Sequence, residues 1–219
     1  HLAGPQHSAV EEALYKAMTD PGLPPKTRAA LADVLDALWL PPDLYTCIPI
    51  GSPPVFWIGK YPVTNAQYQR FLEAPDFAER QYWVEYPKYG EPQAYTDMGD
   101  WGETGWKWLQ EARQDKDRSA DGERVFPRYW NDPRFGVARR GTPVVGITWY
   151  EANAYCKWLQ AHWAALEEGQ HNPFEKPRLV RLPLEREWEQ AAGGRDPEDR
   201  YAWNAAGEAT QDQAETLRR

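Results

Sequence analysis

The sequence predicts an irregular α+β domain that follows a short helical appendage. Helical stripes and short apolar stretches alternate along the chain without the strand–helix–strand repeat of a parallel sheet. Residues 73–132 show little periodicity and are rich in Trp, Tyr, Pro and Gly. An irregular stretch of this length is usually either functional or held in place by aromatic packing. We therefore expect few strands, several helices and a core filled by large rings.

The composition excludes several classes of partner. The 219 residues are 42% hydrophobic and 26% charged, which is typical of a globular protein with a buried core. The net charge is −8 and the basic residues are scattered, so the clustered Lys and Arg that phosphate contacts need are absent. No apolar run approaches the roughly 20 residues of a membrane-spanning helix. We therefore expect a cytoplasmic protein that binds neither nucleic acid nor a membrane, and its 20 Pro and 2 Met are typical of a thermophile.

Residues 1–43 are predicted to form the helical appendage, and residues 44–219 the main domain. Ser8 and Glu11 have the spacing of a capping box, which predicts the start of a first helix. A turn rich in Pro and Gly ends this helix, and Pro25 suits the first turn of a second one. The second helix is predicted to bury one apolar face, which comprises Leu31, Val34, Leu35 and Leu38.

The main domain opens with two predicted strands and a capped helix. Tyr45–Ile50 and Val55–Ile58 are short β-prone stretches separated by turn residues. Thr64 precedes a helical stripe, and Gln67 lies three residues further on, which completes a second capping box. The charged segment Glu111–Arg124 indicates either a short helix or a mobile loop. The helix that Thr64 caps is predicted to bury Tyr68, Phe71 and Leu72.

A second ordered region begins at Thr142–Ile147, which is predicted to be a strand. Thr148 and Glu151 have capping-box spacing and precede the longest predicted helix, which ends at Gly169. A last helix is predicted from about Glu185 to Ala192. The long helix carries an apolar stripe that we expect to be buried: Ala152, Tyr155, Cys156, Leu159, Trp163 and Leu166.

Four motif segments follow one another along the main domain: Ile58–Asn65 (IGKYPVTN), Thr142–Trp149 (TPVVGITW), Glu151–Trp158 (EANAYCKW) and Arg181–Glu189 (RLPLEREWE). In this order they resemble the formylglycine-generating-enzyme (sulfatase-modifying factor) family. The resemblance implies an elaborated C-type-lectin-like fold with a small twisted antiparallel sheet, two main helices and much irregular structure. Each motif is a strand, a cap or a helix end with bulky apolar residues, so these residues specify a scaffold.

Two positions depart from the family pattern. Leu184 stands where the family commonly has Thr before the last helix. Because Leu cannot accept the amide hydrogen bond of a cap, the helix loses about 1 kcal/mol there. Glu215 falls where the family places an Asn that ligates calcium. A carboxylate is a good ligand for a hard cation, so calcium binding through Glu215 stays open, with a solvated side chain as the alternative.

The resemblance also implies redox chemistry that the motifs of this chain do not supply. Active family members oxidise a substrate cysteine with dioxygen and copper(I) held by two cysteines, which suit that soft ion. The family's cysteine pair lies beyond the region that corresponds to this chain, and we expect Cys47 and Cys156 to be structural. Ergothioneine-pathway relatives use iron held by histidines, and His162 and His171 lack the spacing of such a site. We expect the C-terminal remainder of the domain to exist as a partner, either as a cleaved chain or as further polypeptide.

Two functions follow from these observations. The first is a non-catalytic ligand-binding protein that displays a variable C-terminal surface, similar to the retroelement-diversified variable proteins of bacteria. The lack of catalytic motifs and the aromatic-rich middle of the chain favour it. Its ligand, a protein or a small molecule, is predicted to contact Trp101, Trp106 and Trp130. The alternative is a copper-dependent formylglycine-generating oxidase or a related oxidoreductase.

Overall fold

The computed structural model describes residues 5–38, 40, 43–86, 102–119, 121–166, 172–174 and 176–193. Within them the chain forms helices and one small sheet, and no helix of this part is long and apolar enough to cross a membrane. The helices are α1 (Pro5–Thr19), α2 (Pro25–Leu38), α3 (Asn65–Glu73), α4 (Thr104–Ala112), α5 (Trp149–Leu166) and α6 (Glu185–Ala191). The strands are β1 (Cys47–Ile50) and β2 (Phe56–Gly59), and a 3-10 turn covers Arg80–Tyr82.

Helices α1 and α2, in the segment predicted to be a helical appendage, pack against each other. The predicted start of α1 at Ser8 is wrong, because the helix begins at Pro5, whose fixed backbone angle suits a first turn. Pro25 begins α2 as predicted. The apolar face of α2 is only partly buried, since Leu35 is 4% exposed whereas Val34 is 51% exposed. An ion pair between Asp33 and Arg139 joins α2 to the loop before the second motif segment.

The two predicted strands pair as an antiparallel hairpin. Cys47 lies opposite Gly59 and Ile50 lies opposite Phe56. Both strands begin slightly later than the predicted apolar stretches, β1 at Cys47 and β2 at Phe56. Val55 belongs to the turn, where its N–H donates to the carbonyl oxygen of Ile50 at 2.8 Å. In the described part of the chain this hairpin is the whole sheet.

The predicted strand at Thr142–Ile147 is wrong. The segment makes one isolated bridge, between Pro143 and Thr64, instead of a ladder. Pro143 has no N–H to donate, and Gly146 adopts a φ of +74°, which turns the chain away from an extended course. Two backbone hydrogen bonds join the segment to the start of α3: the N–H of Val144 donates to the carbonyl oxygen of Val63 and the N–H of Asn65 to that of Thr142, each at 2.9 Å.

Of the three predicted capping boxes, those at Thr64 and Thr148 form. The Gln67 side chain accepts from the Thr64 N–H at 2.9 Å, and the Thr64 hydroxyl accepts from the Gln67 N–H at 3.3 Å. The same reciprocal pair joins Thr148 and Glu151, at 2.7 and 3.3 Å. These side chains satisfy backbone donors that have no partner inside the helix, and they fix where α3 and α5 begin.

Aromatic packing between α3 and α5 forms the core, as predicted. Tyr68 and Phe71 of α3 meet Tyr155 and Trp158 of α5 with ring centroids 5.6–6.0 Å apart. Large rings dominate because the described chain has few regular elements to fill the space. The buried cluster comprises Tyr45, Tyr68, Phe71, Leu72, Phe77, Tyr82, Trp83, Leu109, Val125, Trp130, Ala154, Tyr155, Trp158, Leu159 and Trp163.

The irregular stretch is organised by single buried polar side chains. Of the two alternatives for Glu111–Arg124, a short helix or a mobile loop, the helix is present only at the start, where α4 ends at Ala112, and the described residues after it form turns and bends. Asn65 is fully enclosed, and its Nδ2 lies 2.8–2.9 Å from the carbonyl oxygens of Phe135, Gly136 and Arg139. One side-chain amide thus holds the loop that leads to the second motif segment, Thr142–Trp149.

Candidate functional site

The three tryptophans predicted to bind a ligand have different surroundings. Trp101 lies outside the described residues. Trp106 is half-buried on α4 and packs against the core. Trp130 is 7% exposed, and its ring contacts Tyr68 and Phe126. The packing of Trp130 is that of a core residue, and the binding role of all three stays a prediction.

The two cysteines are buried thiols. Cys156 lies on the inner face of α5, where burial raises its pKa to about 12. Cys47 is half-buried at the start of β1 and its pKa is also raised by burial. Because a metal binds the thiolate and not the thiol, both environments disfavour copper(I) binding.

Metal ligands are not grouped in the described part of the chain. No set of three or more His, Cys, Asp or Glu side chains there could hold an ion. The predicted calcium ligand, Glu215, and His171 lie outside the described residues.

The most concentrated group of polar side chains surrounds Asp76, in the loop after α3. The hydroxyl of Tyr82 donates to Asp76 Oδ2 at 2.7 Å, and the indole N–H of Trp158 donates to Oδ1 at 3.3 Å. His162 Nε2 lies 3.2 Å from Oδ2. We call these four residues the Asp76 cluster. It joins the 3-10 turn to the middle of α5.

The Asp76 cluster lies at the edge of the core. The side chains of Asp76 and His162 are 20% and 34% exposed, whereas Tyr82 and Trp158 are buried. The His162 ring stacks on Trp158 with centroids 4.8 Å apart, and its Nδ1 lies 3.0 Å from the Trp158 carbonyl oxygen. Burial and the Asp76 hydrogen bond both raise the pKa of Tyr82, so this phenol stays protonated. Sequence analysis missed the cluster because Asp76 lies outside every motif.

A second charged pair is buried at the start of α5. Glu151 is fully buried, and Arg118 Nη2 donates to its Oε1 at 2.6 Å. Arg118 Nε also donates to the carbonyl oxygen of Phe126 at 3.0 Å. Burial raises the pKa of Glu151, while Arg118 and the N–H of Thr148 act in the opposite direction. The pair anchors the irregular segment to the capped end of α5, and the sequence gives no sign that Arg118 is the partner.

A lysine of the third motif segment holds the backbone that follows the 3-10 turn. Lys157 Nζ donates to the carbonyl oxygen of Val84 at 2.5 Å, and partial burial lowers its pKa. Glu85, the next residue, has a φ of +51°, which is uncommon for a residue with a side chain. Lys157 therefore fixes the backbone at this left-handed turn.

The comparisons with known proteins agree with the motif resemblance. Residues 51–219 match the model of the sulfatase-modifying factor enzyme 1-like domain. The chain is 27% identical over 164 residues to a protein named hercynine oxygenase from Mycolicibacterium thermoresistibile. It is 28% identical over 166 residues to one from Mycolicibacterium smegmatis, and 27% identical over 162 residues to one from Mycobacterium tuberculosis. No solved structure matches the chain.

These alignments cover 68–70% of this chain but only 26–27% of each relative. The chain thus spans about a quarter of the length of the curated relatives it matches. The hypothesis of a non-catalytic ligand-binding protein is contradicted, because these relatives are named as oxygenases. The α+β interpretation and the family resemblance are confirmed: the chain belongs to the sulfatase-modifying factor enzyme 1-like domain family.

Proposed function

We propose that this chain is part of an oxygenase of its family and that the substrate of this enzyme is hercynine or a closely related histidine betaine. The observation that carries the proposal is the similarity, along 68–70% of the chain, to three proteins named hercynine oxygenase. The match of residues 51–219 to an enzyme domain family supports it.

In this proposal the described residues build the frame of the enzyme. The hairpin of β1 and β2 together with α3 and α5 supplies the small sheet and the two main helices of a C-type-lectin-like domain. The capping boxes and the ion pair between Glu151 and Arg118 fix the ends of the helices. A buried frame held by these hydrogen bonds can keep irregular segments in one arrangement, which substrate positioning requires.

The metals that the family resemblance implies do not fit the described residues. His162 already has both ring nitrogens near acceptors, the Asp76 carboxylate and the Trp158 carbonyl. The thiols of Cys47 and Cys156 are held in their protonated form by burial. We therefore assign no iron or copper ligand among these side chains and derive no step of the reaction through a metal.

The domain division after residue 43, the cytoplasmic setting and the thermophilic source remain predictions. Two observations favour a helical appendage that packs against the main domain: α1 contacts α2, and Asp33 forms an ion pair with Arg139. The family match begins at residue 51, beyond the proposed boundary, which supports the division.

The test is substrate-dependent oxygen uptake by the intact natural polypeptide that carries this chain. We expect added hercynine to accelerate oxygen consumption. Histidine, which lacks the trimethylammonium group, is the matched control and should act weakly. Uptake that depends on a cysteine-containing sulfatase peptide, and not on hercynine, would replace this proposal with the formylglycine-generating reaction. No dependence on either compound would contradict both.

A further inference from the structure

The aromatic side chains form a continuous path from the centre of the core to the Asp76 cluster. The ring centroids of Tyr68 and Tyr155 are 5.6 Å apart, and those of Tyr155 and Trp158 are 6.0 Å apart. Trp158 then stacks on His162, whose ring centroid lies 6.4 Å from that of Tyr82. The scaffold role accounts for the burial of these rings, but it does not account for the polar groups at the end of the path.

At its outer end the path meets one carboxylate that serves two oxidisable rings. Asp76 accepts through Oδ1 from the indole of Trp158 and through Oδ2 from the phenol of Tyr82. The indole of Trp158 and the phenol of Tyr82 are therefore joined through a single carboxylate, with one hydrogen bond on each side. Tyr68 provides the contrast: its hydroxyl is fully buried and has no hydrogen-bond partner among the described residues.

This difference has a chemical consequence. A neutral phenol that loses an electron becomes strongly acidic, so its oxidation is easy only where a base can take the proton. Tyr82 has such a base at 2.7 Å, and Tyr68 has none. Its raised pKa keeps Tyr82 in the protonated form, so that electron and proton leave together.

We propose that Trp158 and Tyr82 form an oxidation relay with Asp76 as the proton acceptor. A one-electron oxidant takes an electron from Trp158 and is itself reduced by one electron, and Trp158 becomes a radical cation that keeps its N–H. Tyr82 then gives one electron to Trp158 and its phenolic proton to Asp76 Oδ2. The products are neutral Trp158, a neutral Tyr82 radical and protonated Asp76, so charge, electrons and protons balance.

The relay carries oxidising equivalents out of the core to a ring whose proton acceptor is partly open to water. In the cell the oxidants would be oxygen-derived radicals that take one electron at a time. The origin of these radicals rests on the proposed oxygenase function, whereas the relay does not. The relay itself needs no turnover. An external oxidant can therefore test it without reference to hercynine or to a metal.

The test is pulse radiolysis of the full chain with azide radicals, which oxidise tryptophan in preference to tyrosine. We expect the absorption of tryptophan radicals to decay while that of tyrosyl radicals grows, at a rate that does not depend on protein concentration. In Tyr82→Phe and in Asp76→Asn most of this tyrosyl growth should be lost. Deuterated water should slow it in the unaltered protein, because a proton moves with the electron.

The matched control is Tyr61→Phe. The hydroxyl of Tyr61 also donates to a carboxylate, that of Asp43, at 3.2 Å, but Tyr61 is not part of the ring path. This variant should keep the tyrosyl growth. The relay is overturned if Tyr82→Phe and Tyr61→Phe behave alike, or if Asp76→Asn leaves the transfer unchanged.

Unfolding of the variants would not leave the question open, because the unaltered protein provides a second measurement. After exposure to the same oxidant, peptide mapping by mass spectrometry should find more oxidation at Tyr82 than at Tyr68. Both phenols are buried, at 4% and 0% exposure, so access alone does not separate them strongly. Equal or greater oxidation at Tyr68 contradicts the relay.

Discussion

The starts of α5 and α6 use the same hydrogen bonds in two different environments. In α5, Glu151 accepts from the N–H of Thr148 and from Arg118. In α6, Glu187 accepts from the N–H of Leu184 at 2.8 Å and from both terminal nitrogens of Arg181 at 2.6 Å. Glu151 is fully buried and the Arg118 side chain is 13% exposed, whereas the side chains of Glu187 and Arg181 are 14% and 26% exposed.

The two helices also differ in how their first turns are capped. The Thr148 hydroxyl completes a reciprocal box, while the Leu184 side chain makes no cap hydrogen bond. Trp188 of α6 is 61% exposed, so packing does not compensate for the missing cap. The same sequence pattern, a Glu three residues after the cap position, begins both helices. It holds the start of a helix firmly only where the surroundings exclude water.

The largest expected effect comes from removing the buried carboxylate. Glu151→Ala leaves the Arg118 guanidinium, whose side chain is 13% exposed, without its carboxylate and should lower the free energy of unfolding by about 3–5 kcal/mol. Glu187→Ala is the matched control at the more exposed pair, whose Glu187 and Arg181 side chains are 14% and 26% exposed, and it should cost less, about 1–2 kcal/mol. Urea unfolding of the two variants measures the difference. Equal losses would show that burial does not distinguish the two sites.

The next effect is the loss of the α5 cap. Thr148→Val preserves the shape of the side chain but removes the hydroxyl that accepts from the backbone N–H of Glu151, and it should cost about 1–2 kcal/mol. Thr148→Ser keeps the acceptor and should cost less. The same urea titration measures both variants. If Val and Ser proved equally stable, the hydroxyl would not be acting as a cap.

Adding the missing cap to α6 tests whether the cap accounts for the difference between the two helices. Leu184→Thr adds the missing acceptor and should stabilise α6 by about 1 kcal/mol. Leu184→Val has no acceptor and serves as the control. Amide hydrogen exchange within α6 should slow in the Thr variant alone. Similar exchange in both variants would place the weakness of α6 in its exposure and not in its cap.

The smallest expected effect is an acid-dependent loosening of α6. The hydrogen bonds from Arg181 lower the pKa of Glu187 below its usual value of 4.5. The ionised Glu187 thus contributes stability above that value, and the contribution is lost as the pH falls through the lowered folded-state pKa. Amide exchange in α6 should accelerate there in the unaltered protein. Glu187→Gln should lack this pH dependence, and the same acceleration in both proteins would refute it.

Local spacing explains what sequence analysis predicted correctly. Thr64 with Gln67 and Thr148 with Glu151 lie three residues apart, so their contacts need no knowledge of the rest of the chain. The strand predicted at Thr142–Ile147 is wrong because the apolar pattern outweighed the effects of Pro143 and Gly146 in the prediction. Backbone chemistry decides that segment.

The contacts that could not be predicted join residues far apart in the chain. Arg118 meets Glu151 across 33 positions, and Trp158 meets Asp76 across 82. Many charged residues could have filled either role, and only the packing of α5 against the irregular segment selects these partners. The fold class and the family could therefore be predicted from the sequence, whereas the Asp76 cluster required the structure.

The central claim, that this chain belongs to an oxygenase acting on hercynine, is tested most directly by isotope labelling. The intact natural polypeptide should be incubated with hercynine under isotopically heavy dioxygen, and the products analysed by mass spectrometry. The account predicts a hercynine-derived product that carries heavy oxygen from the gas. If the enzyme consumed oxygen with another substrate and left hercynine unchanged, this result would contradict the claim.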